Sequence, residues 1–305
     1  MNVLVTGSNG FIGKHVCNYL KRNGIYVIGL GRKKCSVADV DEYVSCDMDS
    51  EEVKFIMKKI CVSNIDAIIH LAADMRKEPY NVEVVAHNCV GTQRLLEFAE
   101  KNDVGIFAQL SSLPVIGKPK YHPIMENHPL QPPTVYHATK IAEELLANYA
   151  DYKHGIRTIS FRISAPVGIG MNKNTIFPTF VTKAMRGEDL LLSGNGNRMQ
   201  TYIHVEDIAQ ALYLALSHEK AHGVYNLGSY NLVSNKHLAE KCIEVLKSNS
   251  NIVYTGMKDE MDDYVWDVSL EKIRKDIEYQ PRISLEYAIR EYSDYLLKDE
   301  SNNWD

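Results

Sequence analysis

The sequence predicts an α/β fold built on a doubly wound parallel sheet. Two observations predict it: short apolar runs alternate with longer helical patterns, and the first apolar run breaks into a turn with three evenly spaced glycines before a helix begins. With 305 residues, of which 45% are hydrophobic, the chain is long enough to bury one large core or two linked cores, but not several independent domains.

Composition and charge argue against several classes of partner. The formal net charge of −5 leaves no basic footprint, so we expect no nucleic acid partner. No apolar stretch approaches the roughly 20 residues that a membrane span needs, and Met1 leads almost directly into the first strand, so we expect neither a membrane anchor nor a targeting segment. The six cysteines form no C-x-x-C pair and are typical of reduced thiols, which indicates a cytoplasmic protein.

The first strand ends in a turn that contains Gly7, Gly10 and Gly13, and a helix follows with Phe11 and Ile12 at its start. Without a Cβ, a glycine lets the backbone come close to a phosphate, and the helix N-terminus offers unpaired N–H groups to an anion. The position of this turn, between a buried strand and a helix at the start of an alternating chain, predicts a dinucleotide site.

The second strand, residues 26–30, ends at Gly31 and is followed by Arg32. The adenosine ribose of a dinucleotide usually lies at this place, where an acidic residue favours NAD and an arginine pairs with the 2′-phosphate of NADP. Since the chain offers Arg32 and two lysines, we expect NADP(H), with NAD as the alternative.

Small and polar residues follow the next strands. Asp47 and Met48 come after the third strand, where we expect the carboxylate to meet the adenine amino group and the methionine to lie beneath the ring. The fourth strand, residues 67–71, stops at Ala72 and Ala73, and two small residues there leave space for the pyrophosphate and ribose of a cofactor.

A long helical pattern from about residue 82 to 101 contains Asn88 and Gly91. A glycine inside a helix costs about 1 kcal/mol relative to alanine, so we expect a close approach by another group. The fifth strand then delivers Ser111 and Ser112 to the same edge of the sheet, and a loop over residues 114–133 follows that is long enough to be functional.

Tyr136 and Lys140 open the next helix, and a spacing of four places the phenol and the ammonium on one face. A neighbouring cation favours the phenolate, and lowering a phenol pKa from ~10 to ~7 requires about 4 kcal/mol. The pair predicts a tyrosine that takes up and releases a proton, because it follows the glycine turn and the Ser-Ser strand end in the order that a doubly wound sheet brings together.

Taken together, these motifs resemble the extended short-chain dehydrogenases/reductases, in the branch of NAD(P)-dependent nucleotide-sugar epimerases and dehydratases. The motifs are Thr6-Gly7-x-x-Gly10-x-x-Gly13, His70-Leu71-Ala72-Ala73, Asn88-x-x-Gly91-Thr92, Ser111-Ser112, Tyr136-x-x-x-Lys140, Arg162 and Tyr202-Ile203-His204-Val205-x-Asp207. The resemblance implies Tyr136 as catalytic base and acid, Lys140 as the residue that holds the nicotinamide ribose, and Ser112 as donor to the reacting oxygen.

The resemblance also implies a domain division. Residues 1–163 form the NAD(P)-binding Rossmann domain, and residues 164–305 form a smaller substrate-binding lobe that is interleaved with the last strands of the sheet and the closing helices. It further implies a homodimer that pairs through the helices at 82–101 and 136–153.

The expected site therefore has two parts. The cofactor-binding residues are Gly7, Gly10, Phe11, Ile12, Gly13, Arg32, Asp47, Met48, Leu71, Ala72, Ala73, Asn88, Ser111, Tyr136 and Lys140. The substrate-binding residues are Ser112, Tyr136, Ser164, Arg198 and Gln200. We expect no metal site, since the eleven histidines show no ligand spacing.

Several positions depart from the pattern of the family. Dehydratases of this branch carry Asp-Glu after the catalytic Ser or Thr, but this chain has Leu113-Pro114, which argues against a 4,6-dehydratase. Where the family usually has an arginine that binds the diphosphate, this chain has Gln200, with Arg198 two residues earlier. Where the family usually has an asparagine after the strand that contains Arg162, this chain has Ser164.

Three functions remain open from the sequence. The first is an epimerase that inverts a sugar carbinol carbon, of the C4 type, through a transient ketone. The second is an NADPH-dependent reductase of a 4-keto (deoxy)sugar nucleotide, which Arg32 and the weakened diphosphate clamp favour. The third is a cofactor-binding regulator without activity, which the presence of Tyr136, Lys140 and Ser112 argues against.

Overall fold

The computed structural model describes residues 1–76 and 80–301, with side chains described as far as residue 298. The last residues of the lobe that the sequence predicts to end at 305 lie outside these ranges. The architecture is a mixed α/β fold with one large parallel sheet, as predicted.

Within the described residues, seven strands form the parallel sheet in the order β10-β6-β5-β4-β1-β2-β3. Their bounds are β1 Asn2–Thr6, β2 Tyr26–Gly31, β3 Glu42–Ser45, β4 Ala67–His70, β5 Ile106–Ser112, β6 Arg157–Ile163 and β10 Gly223–Leu227. The central strands are continuous apolar runs because helices cover both faces; Val3, Leu4 and Val5 of β1 are fully buried. The order reverses at β1, which opens a crevice at the carboxyl ends of the strands.

Helices lie between and after the strands along the chain. Their bounds are α1 Phe11–Arg22, α2 Val82–Val85, α3 Gly91–Lys101, α4 Val135–His154, α5 Ile176–Met185, α6 Val205–Ser217, α7 Asn235–Leu246, α8 Glu271–Ile277 and α9 Leu285–Ser301. The Thr134 hydroxyl caps the start of α4 by accepting from the His137 N–H at 3.3 Å, and Gly155, with φ +69°, ends it.

Two helical segments depart from regular α-helix geometry. Residues 51–58 form a 3-10 helix rather than an α-helix. The pattern over residues 82–101 is interrupted by a π-turn, Ala86–Val90, which joins α2 to α3. Gly91 lies at this junction, and a Cβ on it would be 3.3 Å from the Cβ of Met48, so the expected close approach is made by Met48 in the segment that follows β3.

A smaller lobe follows β6. Strands β7 Ala165–Val167, β9 Met199–His204, β11 Asn231–Ser234 and β13 Val265–Trp266 form a second sheet around β9, and β8 Leu190–Leu192 pairs with β12 Ile252–Tyr254. Phe177, Tyr202, Ile289 and Tyr292 lie in the core between this lobe's sheet and its helices α5, α7 and α9.

The lobe and the large sheet are interleaved along the chain. After β9, helix α6 packs against α1, and β10 returns to the edge of the large sheet, where it pairs with β6 in parallel. The Asp207 carboxylate near the start of α6 accepts from the N–H groups of Arg282 (2.9 Å) and Ile283 (3.2 Å), so α6 also anchors the segment before α9. Among the described residues, no helix has the length and apolar character to span a bilayer.

Candidate active site

The glycine turn brings the backbone of β1 against the backbone that follows β4. Gly7 has φ +65°, and a Cβ on it would be 2.7 Å from the Ala72 nitrogen. A Cβ on Gly13 would be 2.1 Å from the Gly7 oxygen, so α1 packs directly on the turn. This leaves the first N–H groups of α1 open toward the crevice, an arrangement that fits the pyrophosphate of a dinucleotide.

A chain of hydrogen bonds fixes the edge of the sheet beneath this turn. The Thr6 hydroxyl accepts from the N–H groups of Leu71 (3.1 Å) and Ala72 (3.2 Å) and lies 2.7 Å from Nδ1 of the buried His70. The His70 Nε2 lies 2.9 Å from the Thr92 hydroxyl of α3. Burial lowers the pKa of His70 to about 3, so the imidazole is neutral.

A cleft of about 470 Å³ runs along the carboxyl ends of the strands. Every residue that the sequence predicts for cofactor binding lines it. These are Gly7, Gly10, Phe11, Ile12, Gly13, Arg32, Asp47, Met48, Leu71, Ala72, Ala73, Asn88, Ser111, Tyr136 and Lys140. The dimensions and the glycine-lined floor therefore fit an extended dinucleotide.

Asn88 and Ser111 use their polar groups within the protein. The Asn88 amide accepts from the Asp74 N–H at 2.7 Å and donates to the Thr139 hydroxyl at 2.9 Å, which holds the loop after β4 against α4. The Ser111 hydroxyl donates to Glu144 at 2.5 Å. Both residues shape the wall of the cleft through these bonds.

Further lining residues are not among those predicted to bind the cofactor. They are Asn9, Leu30, Gly31, Lys33, Cys46, Asp74, Met75, His87, Leu110, Ile163 and Pro166. Leu30, Leu110 and Ile163 lie at or next to the carboxyl ends of parallel strands, a signal that sequence reasoning could have used. Met75 and Pro166 lie in connections whose path depends on tertiary packing.

Tyr136 and Lys140 lie on one face of α4, as the spacing predicts. The Lys140 ammonium is 6.0 Å from the centre of the Tyr136 ring. Burial raises the pKa of the Tyr136 phenol, the Lys140 charge lowers it, and Glu143 raises it; the net direction is upward. A positive charge brought by a bound oxidised nicotinamide would favour the phenolate further.

A second cavity of about 230 Å³ adjoins the cleft. All five residues predicted for substrate binding line it: Ser112, Tyr136, Ser164, Arg198 and Gln200. Three buried polar atoms of this lining, Ser164 Oγ, Arg198 Nε and Trp266 Nε1, have no hydrogen-bond partner among the described residues. Unpaired buried donors are rare in proteins, so this cavity has the chemistry of a site for a polar ligand.

Trp266 is a lining residue that the sequence analysis missed. It lies in β13, which pairs with β9 so that Trp266 is opposite Gln200. Its indole N–H is a donor at the wall that also holds Arg198. No motif marks this position, because it is reached only through the pairing of two strands that are far apart in sequence.

Behind the cavity, a buried ion pair holds α4 to the sheet. Arg162 donates from Nε to one Glu144 oxygen at 2.9 Å and from a terminal nitrogen to the other at 2.7 Å, while its remaining terminal nitrogen donates to the Glu126 carbonyl at 2.9 Å. Arg162 was part of the predicted motif set, and the structure shows that it links β6, α4 and the loop before α4.

The structure brings together one cluster of possible metal-ligating side chains that the spacing of the histidines does not indicate. Ligand atoms of Asp47, Asp49 and His87 lie within 4.8 Å of one another at the adenine end of the cleft. The His87 Nδ1 is 2.6 Å from an Asp49 oxygen, which accounts for that contact as a hydrogen bond. His204 instead caps α6 and lies 2.8 Å from Glu291.

A parallel sheet with a glycine turn at its first helix, and a Tyr-x-x-x-Lys pair beside the crevice, defines the class of short-chain dehydrogenases/reductases. The chain belongs to the NAD dependent epimerase/dehydratase family, whose model matches residues 3–228. It is accordingly an enzyme of the extended type, and the resemblance stated from the motifs is confirmed.

Relatives and solved structures agree with this assignment. A dTDP-glucose 4,6-dehydratase of Actinoplanes sp. is 28% identical over 95% of this chain and 96% of its own length. The UDP-glucose 4-epimerase of Thermotoga maritima, solved with UDP-glucose, is 23% identical, covers 98% of this chain and 100% of its own, and has a TM-score of 0.86. The dTDP-glucose 4,6-dehydratase of Bacillus anthracis, solved with NAD, has 24% identity, coverage of 99% and 98%, and a TM-score of 0.82.

Proposed function

We propose that the chain is an epimerase of a nucleotide-linked sugar that inverts a carbinol carbon, of the C4 type, through a transient ketone. One observation carries the proposal. Tyr136 forms part of the wall of both the cleft and the smaller cavity, so its side chain lies where a cofactor and a sugar would meet.

The roles of the residues follow from this position. Tyr136 accepts the hydroxyl proton as the carbon is oxidised and returns it as the carbon is reduced. Ser112 donates a hydrogen bond to the reacting oxygen. Lys140 holds the nicotinamide ribose, and its charge favours the phenolate. The nicotinamide cofactor that Lys140 and the glycine-lined cleft would hold would supply a reversible hydride acceptor for the carbinol carbon.

The cavity supports a nucleotide-linked substrate. The Arg198 guanidinium supplies the positive charge that a diphosphate requires, and Ser164, Gln200 and Trp266 supply neutral donors around it. The Thermotoga maritima epimerase, which shares the fold, was solved with UDP-glucose. In this proposal residues 1–163 bind the cofactor, and residues 164–305 supply most of the sugar-nucleotide contacts.

The lining also argues against a 4,6-dehydratase, although several relatives carry that name. Eliminating water needs an additional acid and base beside the sugar. Leu113 and Pro114 occupy the two positions concerned, and the described residues that line the cavity include no carboxylate.

A reductase of a 4-keto (deoxy)sugar nucleotide is the second candidate. It would use the same Tyr136, now as proton donor to the new alkoxide, and would consume NADPH. Arg32 favours the reductase, because an enzyme that oxidises one cofactor molecule at each turnover uses NADPH as its reductant, and Arg32 can pair with the 2′-phosphate of NADPH. A regulator without activity is disfavoured, since Ser112, Tyr136 and Lys140 come together at one site.

One experiment separates these functions. The purified protein is denatured, and the released nicotinamide nucleotide is identified. Native protein is then incubated with UDP- and dTDP-linked hexoses and their 4-keto forms. An oxidised cofactor held near one per chain, with an epimer formed and no net change at 340 nm, is expected. Stoichiometric loss of NADPH with a keto sugar would establish the reductase instead. Tyr136→Phe is the control, expected to keep the nucleotide and lose about 10²- to 10⁴-fold in turnover.

We propose NADP(H) as the preferred cofactor, with NAD as the alternative. Arg32 and Lys33 line the adenosine end of the cleft after β2, and the strand offers Gly31 in place of an acid. In Arg32→Ala we expect the ratio of NADP to NAD affinity to fall by about tenfold, since one charge-assisted phosphate contact is lost. Fluorescence titration with both nucleotides measures it, with Lys14→Ala as a matched loss of surface charge. An unchanged ratio of the two affinities would mean that residues other than Arg32 bind the 2′-phosphate.

We also propose a homodimer in the cytoplasm. Exposed apolar side chains follow the outer faces of the α2–α3 segment and α4: Val82, Val85, Val90, Leu145, Tyr149 and Tyr152. Such a stripe supports pairing of these helices with a second copy. All six cysteines are free, which supports a reducing compartment.

A further inference from the structure

The ammonium of Lys140 forms an ion pair with a carboxylate on its own helix. Its Nζ donates to Glu143 Oε2 at 2.8 Å, and the two side chains are 4% and 1% exposed. The other oxygen, Oε1, is buried and has no hydrogen-bond partner among the described residues. Lys140 itself lines the cofactor cleft, so the ammonium lies between the cleft and Glu143.

The other titratable groups around this pair are either neutral or paired with an opposite charge. Glu144, the next residue of α4, is bound by Arg162. On the π-turn that packs against α4, burial raises the pKa of the Cys89 thiol, which keeps it neutral. On β4, burial keeps His70 neutral. Of the described charges near the Tyr136 phenol, those of Lys140 and Glu143 therefore decide the local field.

We propose that Glu143 is a positioning residue that holds the Lys140 ammonium beneath the cofactor ribose and offsets part of its positive charge at Tyr136. The inference rests on the proposed role of Tyr136. It adds a residue that lies outside the motifs, since Glu143 touches neither the cleft nor the cavity and acts through Lys140.

The hydrogen-bonding capacity of the ammonium supports this role. A lysine has three donors, and one is used by Glu143. Two remain, which is the number that a ribose diol accepts. The carboxylate thus fixes a long, flexible side chain in the orientation that the ribose needs.

The charge of Glu143 has an opposite effect on the tyrosine. A carboxylate beside the ammonium reduces the net charge that the phenol faces, so it raises the pKa of Tyr136 where Lys140 alone would lower it. The ion pair therefore fixes the position of Lys140 but reduces the amount by which its charge lowers the pKa of Tyr136.

The test is a titration of Tyr136 in protein labelled with ¹³C at tyrosine Cζ and saturated with NADP⁺, and separately with NAD⁺. The Tyr136 resonance is assigned by Tyr136→Phe. In Glu143→Gln we expect the midpoint to move toward acid by about one pH unit. Asp151→Asn is the matched control, since Asp151 lies fifteen residues beyond Tyr136 on α4, about 22 Å away along the helix axis, and the variant should leave the Tyr136 midpoint unchanged.

Glu143→Asp keeps the charge and should keep the midpoint near that of the wild type, so it remains informative if Glu143→Gln does not fold. A Glu143→Gln midpoint equal to that of the wild type, or moved equally by Asp151→Asn, would overturn the proposal. The titration uses no sugar, and so its failure is distinct from that of the proposed function, which would show as absence of epimer or of NADPH consumption with the wild-type protein.

Discussion

Two neighbouring glutamates on α4 are bound to cations in different ways. Glu144 receives two hydrogen bonds from Arg162 and a third from Ser111, so both of its oxygens are satisfied. Glu143 receives one bond from Lys140, and its second oxygen is buried without a partner among the described residues. Both carboxylates are buried within the same turn of helix.

The difference separates two uses of a buried charge. A fully satisfied pair repays its desolvation and holds elements together, and Arg162 joins β6, α4 and the loop before α4 in this way. A half-satisfied pair is less well compensated and leaves donors of the cation free for a ligand. Lys140 of the first pair lines the cleft, whereas neither Arg162 nor Glu144 lines it.

The largest expected effect comes from breaking the satisfied pair. Arg162→Met leaves Glu144 buried without its cation, and we expect a loss of about 4 kcal/mol in the free energy of unfolding. Urea unfolding at pH 7 measures it. The double variant Arg162→Met, Glu144→Met removes both charges and should recover much of the loss. If the single variant were as stable as wild type, the pair would not have the structural role assigned to it.

The matching change at the half-satisfied pair should cost less and depend on pH. Lys140→Met is expected to lose about 2 kcal/mol at pH 8 and less at pH 5. Burial raises the folded pKa of Glu143 above its unfolded value, so the folded state binds the proton more tightly. Its contribution to stability is present at acid pH and is lost as pH rises through the folded pKa. Urea unfolding at both pH values checks this; a larger deficit at pH 5 would contradict it.

The smallest effects come from two serines that extend the comparison. Ser111→Ala removes a hydrogen bond to a charged oxygen and should cost about 1.5 kcal/mol. Ser164→Ala removes a hydroxyl that has no partner among the described residues, so unfolding should change by at most about 0.5 kcal/mol. Parallel urea titrations measure both. Under the proposed function, Ser164→Ala instead raises KM for the sugar nucleotide. Equal losses of stability in the two variants would contradict the difference between a satisfied and an unsatisfied hydroxyl.

The sequence was sufficient for the large sheet because its signals are local. Apolar runs and the three glycines of the first turn act within a few residues, and the parallel direction of the strands follows from their alternation with helices. The carboxyl ends of parallel strands meet at one edge, which is why residues as distant as Gly7 and Tyr136 were assigned to one cleft.

The charge environment of the site was not predictable in the same way. Glu143 and Glu144 are adjacent in sequence, and nothing in their spacing shows that one would face Arg162 and the other Lys140. The π-turn before Gly91 shifts the register of the helix that packs against α4. Trp266 reaches the cavity only through pairing of β13 with β9, so its donor could be found only in three dimensions.

The hydroxyl of Thr6 determines which nitrogen of His70 carries the proton. Both Thr6 lone pairs accept from backbone N–H groups, so its single hydrogen must go to His70 Nδ1. The imidazole is therefore the Nε2–H tautomer, and it donates to Thr92. This assigns a direction to the chain of hydrogen bonds from β1 through β4 to α3. Replacing that hydroxyl by a methyl group, as in Thr6→Val, would leave the N–H groups of Leu71 and Ala72 and the Nδ1 of His70 without partners at the floor of the cofactor cleft.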